Sequence, residues 1–129
     1  MRALIIDDSS VMRKVIERAL RQANLDLTEV LHAENGIVAL EVLRDSAAKG
    51  STIELILSDI NMPGMDGLAF LEQRRTERLA LDAPVVMITT EGSQPQVLRA
   101  LAAGARGYIC KPFTPDQVRA AVLPLLAAA

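Results

Sequence analysis

Apolar positions along the chain alternate between two periods. Residues 3–6, ALII, form a short continuous run that ends on Asp7 and Asp8; from Ser10 onward Val11, Met12, Val15, Ile16, Ala19, Leu20 and Ala23 recur at helical spacing. This predicts a strand followed by a helix, with Ser9 or Ser10 as the N-cap. Val30–Ala33 predicts a second strand, and Asn35-Gly36 opens a second helix with Ile37, Ala39, Leu40 and Leu43 on its apolar face. Residues 53–58 predict a third strand, and Asp66 to about Leu79 a third helix with Leu68, Phe70 and Leu71 inward. Pro84 starts the fourth strand, PVVMIT, since proline is tolerated at a strand's first residue. Residues 94–103 predict the fourth helix with Gly104 as its C-terminal cap. Residues 106–110 predict the fifth strand, and Pro115 to the end the fifth helix, with Pro124 expected to kink or shorten it.

Five strand–helix units with nearly continuous apolar strands predict a single doubly wound α/β domain. Crossover helices bury a parallel sheet on both faces, and such strands lose their polar alternation. If the strand order is 2-1-3-4-5, the flavodoxin-like arrangement, the switch point lies between the first and third strands. Ligand chemistry in this architecture gathers beyond the carboxyl ends of the strands, where strand order reverses. The residues there are Asp7 and Asp8, then Asp59, then Thr89, Thr90 and Glu91, then Lys111.

In that order the first and third strands are neighbours, and three carboxylates converge. Like charges this close raise at least one pKa unless a cation neutralises them. Three carboxylates, the Lys111 ammonium and one divalent ion sum to zero charge. Oxygen-only ligands favour a hard ion, so Mg2+ leads, with calcium and manganese as alternatives. An ionised aspartate beside a metal ion, an ammonium and the Thr89 hydroxyl is equipped to attack a phosphoryl group, and an aspartyl phosphate is the expected product.

Composition narrows the remaining classes. The 129 residues suit one domain spanning 1–129, with half the residues hydrophobic and 23% charged. No apolar run approaches the roughly 20 residues of a membrane span. The start, MRALIIDD, fits neither a signal peptide nor a transit peptide, so a cytoplasmic location is expected. A net charge of −2 with interspersed signs argues against nucleic acid as the main partner. Cys110 has no second cysteine to pair with and is expected to be a small buried hydrophobe.

The stretches IIDDSS, LSDINMPGMDG, MITTEG and GARGYICKPFTPDQV cover every strand end that carries chemistry, and on them the chain resembles the receiver domain of two-component response regulators. It looks most like the stand-alone chemotaxis type. The resemblance implies that Asp59 is the phosphoacceptor, that Asp8 and Asp59 bind Mg2+ directly and Asp7 through water, and that the Asn61 carbonyl adds a ligand. It implies that Thr89 and Lys111 contact the phosphoryl oxygens. The phosphoryl group would come from a phosphohistidine on a sensor histidine kinase or phosphotransfer protein, and the domain would catalyse its own phosphorylation and dephosphorylation without being a conventional enzyme. In the implied switch Thr89 moves toward the phosphoryl group and Tyr108 turns inward, reshaping a surface of the fourth helix, fifth strand and fifth helix for a downstream protein. A monomer is implied, as is a cis bond before Pro112.

Departures from the pattern refine these expectations. Ile60 stands where the chemotaxis type commonly has Trp, and the chain has no Trp. Thr90 is larger than the Ala or Gly common there, while Asn61 and Glu91 match positions that tune dephosphorylation, so a short-lived phosphoryl group is expected. The fifth helix has one base, Arg119, which puts a flagellar motor target in doubt. Arg13, Glu17 and Arg21, with Lys14 and Arg18, form a salt-bridged helix face or a kinase dock; Arg74, Arg75 and Arg78 have the same two readings, and His32 is expected to be structural. Three other roles compete: a receiver cut from a larger regulator or serving as a phosphate sink, a small-substrate phosphatase, and an FMN-binding flavodoxin-like protein. The phosphatase would need a second acid where Asn61 stands, and the FMN protein a phosphate loop where DDSS stands.

Overall fold

The computed structural model describes residues 1–90 and 94–127. Its elements run β1 (Arg2–Ile6), α1 (Ser10–Gln22), β2 (Glu29–Ala33), α2 (Gly36–Ala48), β3 (Leu55–Asp59), α3 (Gly67–Glu77), β4 (Val85–Thr89), α4 (Gln94–Ala102), β5 (Gly107–Cys110) and α5 (Pro115–Ala127). The strands form one parallel sheet in the order β2-β1-β3-β4-β5. Among the described residues no helix is long and apolar enough to cross a membrane.

Alternation within each strand divides the core in two. Ala3, Ile5, Leu55, Leu57, Val86 and Ile88 face α1 and α5, where they meet Ile16, Leu20, Val118 and Val122. Leu4, Ile6, Ile56, Val85 and Met87 face the opposite layer, where they meet Leu40, Leu43, Phe70, Leu71 and Ala100. Both faces of β1 from Ala3 to Ile6 and of β3 from Leu55 to Ser58 are therefore buried, each large apolar side chain contributing roughly 1.5–3 kcal/mol. That burial makes the ends of these two strands rigid mounts.

Caps fix where the first three helices begin. Ser9, Asn35 and Asp66 each accept a backbone N–H from three residues on: Met12, Val38 and Ala69. Gly104, at φ 113°, follows α4 in the left-handed region that favours glycine. The Lys111–Pro112 peptide is cis.

Several expectations are corrected by neighbours that periodicity cannot see. Val11 and Val15 are exposed, so the buried stripe of α1 is narrower, carried by Ile16, Ala19 and Leu20. Ile37 is exposed although Gly36 before it is buried, and Cys110 is exposed on edge strand β5. The helix α5 runs through Pro124 to Ala127 instead of stopping. Arg74 is buried, 5% exposed, where a solvated or docking face was expected. Its guanidinium donates to the carbonyls of Leu79, Ala80 and Ala83 at 2.9–3.1 Å and holds the α3–β4 turn, in which Arg78 and Ala80 have positive φ.

Candidate functional site

Parallel register brings the strand ends level. Ile6 pairs with Ser58, so the next residues, Asp7 and Asp59, stand side by side; Asp59 pairs with Ile88, and Thr89 pairs with Cys110. Thr89 and Lys111 thus end the neighbouring strands one step further along. The carboxylates of Asp7, Asp8 and Asp59 offer oxygens that all lie within 4.8 Å of one another. Asp7 is buried, Asp59 half-buried and Asp8 exposed, so the cluster opens to solvent on one side.

Each part of Asp7 is held. Its N–H donates to the Ala33 carbonyl at 3.1 Å, its Oδ1 accepts the Ser9 N–H at 2.9 Å, and its Oδ2 accepts the Lys111 ammonium at 3.0 Å. The Arg13 guanidinium donates to its carbonyl at 2.6 Å. Asp59 is held comparably: Oδ1 accepts the Ile60 N–H at 2.8 Å, Oδ2 lies 3.4 Å from the Lys111 Nζ, and its carbonyl accepts the Ser58 hydroxyl at 2.9 Å. The carbonyl of Thr89 accepts the Lys111 N–H at 2.8 Å, tying the lysine's backbone to β4.

Burial pushes the Asp59 carboxyl above its ordinary pKa, and the Asp7 charge adds to the shift; the Lys111 ammonium and the Ile60 N–H oppose it and fall short. One ammonium does not balance three carboxylates. The donor set is entirely carboxylate oxygen, the chemistry that suits a hard divalent cation, so the residues fit such an ion.

The loop after β3 is shaped to leave room beside Asp59. Gly64 has φ 79°. Gly67 donates its N–H to the Ile60 carbonyl at 2.8 Å, and a Cβ there would lie 2.3 Å from the Asp59 carbonyl oxygen. This loop also docks on α2, because the Gly36 N–H donates to the Met65 carbonyl at 3.2 Å. Asn61, two residues beyond Asp59, is exposed, and so is Thr90, the residue next to the buried Thr89. Ile60 is buried, 1% exposed. Glu91, the other expected tuning position, lies outside the described residues.

Away from the cluster, Tyr108 is 48% exposed on β5, and Leu98 and Leu101 are exposed on α4. A groove of about 710 Å3 runs along α1 past Lys14, Glu17, Arg18, Arg21 and His32, away from the carboxylates. Glu17 pairs there with His32 Nε2 at 2.7 Å and Arg21 Nε at 3.1 Å. Arg119 is turned to the Ala23 carbonyl at 2.8 Å, joining α5 to the end of α1. Sequence reading did not find Arg13 or Ser58 at the site. The available signal for Arg13 was its place in the first turn of a helix that starts beside Asp7.

Residues 3–123 match the family model described as the response regulator receiver domain. A curated relative, the chemotaxis protein CheY homolog of Campylobacter jejuni, is 40% identical over 119 residues, covering 92% of this chain and 87% of its own. The solved structure of the chemotaxis response regulator CheY4 of Vibrio cholerae is 31% identical, with a TM-score of 0.78 over 96% of this chain and 97% of that one. A CheY-like receiver domain protein from Methanospirillum hungatei is 26% identical, with a TM-score of 0.80 over 98% and 94% of the two chains.

Proposed function

The chain belongs to the response regulator receiver family and is a two-component response regulator, and on that premise we propose that it accepts a phosphoryl group on Asp59. The observation that carries this reading is the convergence of the Asp7, Asp8 and Asp59 carboxylates with the Lys111 ammonium between two of them. An Asp59 carboxylate oxygen attacks the phosphorus of a phosphohistidine on a histidine kinase or phosphotransfer protein. The new P–O bond replaces the P–N bond, and the imidazole leaves with a proton taken from solvent.

Asp8, Asp59 and the Asn61 carbonyl would hold Mg2+, with Asp7 behind a water; the ion would stabilise charge on the phosphoryl oxygens when bound. Lys111 would supply a positive charge of its own, and the Thr89 hydroxyl a hydrogen bond. Asn61, Thr90 and Glu91 set how readily water reaches the acyl phosphate. Domain 1–129 acts as one receiver, in a cytoplasmic setting.

Output follows from the exposure of Tyr108. With Thr89 drawn toward the phosphoryl group, the Tyr108 ring moves from solvent into the space behind it, and the face of α4, β5 and α5 changes shape for a protein partner. On the input side, exposed Val11 and Val15 beside Lys14 and Arg18 on α1 offer an apolar and basic strip next to the site for the phosphodonor.

Incubation with Mg2+ and acetyl phosphate is expected to add ~80 Da, the mass of one phosphoryl group. An unchanged mass, or equal labelling of an Asp59→Asn variant, would sink this reading.

A further inference from the structure

Arg13 is the cation whose setting the salt-bridge pattern of α1 does not explain. Glu17, one turn later, is the partner that spacing suggests, yet its carboxylate is engaged with His32 and Arg21. Arg13 forms no ion pair among the described residues. It turns toward the sheet instead, where Nη1 donates to the Asp7 carbonyl at 2.6 Å. Its Nε is buried without a hydrogen-bond partner among the described residues, a setting that costs free energy. A guanidinium stays charged at any physiological pH, so a full positive charge rests one hydrogen bond from the backbone that carries Asp7 and Asp8.

We propose that Arg13 is a positioning residue that biases the acid cluster toward its phosphoryl-bearing state and against the state holding a cation alone. The proposal rests on Asp59 being the acceptor. Three carboxylates with Lys111 and Arg13 carry a net −1; a divalent ion makes it +1. Converting the Asp59 carboxylate to an acyl phosphate of charge near −2 brings the loaded cluster to zero. Without Arg13 the neutral state is the one with the ion alone, and the phosphoryl-bearing state is left at −1. The same hydrogen bond keeps the end of β1 in place, so position and charge act together.

The two contributions separate by sign. Mg2+ alone, and then beryllofluoride at saturating Mg2+ as a stand-in for the phosphoryl group, are titrated by calorimetry into wild type, Arg13→Gln and Arg13→Lys, with thermal melting as the folding control. Arg13→Gln is expected to bind Mg2+ about two- to fivefold more tightly and beryllofluoride about three- to tenfold more weakly. Arg13→Lys, which keeps the charge, is expected to keep the wild-type ratio of the two affinities within about twofold. A purely structural role would weaken both ligands in Arg13→Gln, and that result, or no change in either, overturns the proposal. If Arg13→Gln does not fold, a ratio in Arg13→Lys shifted beyond that range overturns it as well. Wild type that fails to take up beryllofluoride sinks the acceptor assignment itself, a different outcome from wild type that binds while the variants match it.

Discussion

The Lys111 ammonium stands 3.0 Å from Asp7 Oδ2, and both groups are nearly sealed from solvent. The same nitrogen lies 3.4 Å from Asp59 Oδ2, so one cation from beyond β5 joins the ends of β1 and β3. Replacing Lys111 by Met leaves the Asp7 carboxylate with the Ser9 N–H and two carboxylate neighbours. Without metal the variant is expected to lose about 3 kcal/mol of stability, as when one partner of a buried pair is removed. Added Mg2+ then raises its Tm more than that of wild type, because the ion replaces the missing charge. Phosphoryl uptake falls by about 10²-fold or more, since the charge that steadies the transferring oxygens is gone. Melting curves with and without Mg2+, and mass spectrometry after acetyl phosphate, check both effects.

Asp59→Asn is expected to separate chemistry from stability in the opposite direction. Burial and the Asp7 charge make an ionised Asp59 unfavourable in the metal-free fold, so a neutral amide relieves the cluster. The variant takes up no phosphoryl group, yet its metal-free Tm rises by on the order of 3 °C, equivalent to about 1 kcal/mol in a domain of this size. A lower Tm without metal would contradict the electrostatic account.

The convergence of the candidate site residues was legible in the sequence because they fall where the hydrophobic pattern breaks. Each buried strand is a continuous apolar run, and Asp7, Asp59, Thr89 and Lys111 each lie at the point where a run stops. Parallel register then brings those points level without any long-range signal. Positions decided by a third element were not legible. Whether Val11 and Val15 are covered depends on what packs across α1, and spacing along one helix does not contain that. Arg74 looked like one of three similar arginines, and its burial depends on a turn in which Arg78 and Ala80 take positive φ with no glycine to announce it. Arg13 was paired by spacing with Glu17, but His32 from β2 reaches that carboxylate first.

Arg74 is expected to matter for folding and not for chemistry. Substitution by Met leaves the carbonyls of Leu79, Ala80 and Ala83 without their donor in a buried turn, at a cost of about 2–4 kcal/mol. Urea denaturation measures that loss. At a temperature where the variant is still folded, labelling by acetyl phosphate stays within about twofold of wild type, since Arg74 lies at the opposite end of the sheet from Asp59.

Acid sensitivity has an identifiable contributor at the α2–α3 contact. Arg44 donates two hydrogen bonds to Glu77, at 2.7 and 2.6 Å, and Gln73 adds a third at 2.8 Å. The Arg44 bonds, with help from Gln73, pull the Glu77 carboxyl from the ordinary 4.5 down to about 2. With the folded pKa depressed, the stabilisation is complete above pH 4.5 and is lost as pH falls toward 2. Glu77→Gln is therefore less stable than wild type at pH 7 and has a shallower loss between pH 5 and 3. The exposed position keeps the effect small, and chemical denaturation at a series of pH values resolves it.

Gly67 gives the most direct test of the coupling between the β3–α3 loop and Asp59, the proposed acceptor. Its backbone is not in the left-handed region, so conformational freedom is not what requires glycine here. Space is: a Cβ would lie 2.3 Å from the Asp59 carbonyl oxygen and 3.0 Å from the Ile60 Cα, both backbone atoms that cannot rotate away. The nearby Met87 Cε, at 2.8 Å, is a flexible end that yields readily. Gly67→Ala must therefore push α3 away or displace the end of β3, costing about 1–3 kcal/mol or more. The Gly67–Ile60 hydrogen bond breaks as it does so, and Asp59 shifts relative to Asp7 and Asp8. Phosphoryl uptake is then expected to fall by more than tenfold even in protein that is fully folded at the assay temperature, because a displacement near 1 Å at the acceptor is enough to lose that factor. Gly104→Ala serves as the control. It meets nothing within 4 Å and is strained only by its φ of 113°, so it lowers Tm while leaving uptake per folded molecule unchanged.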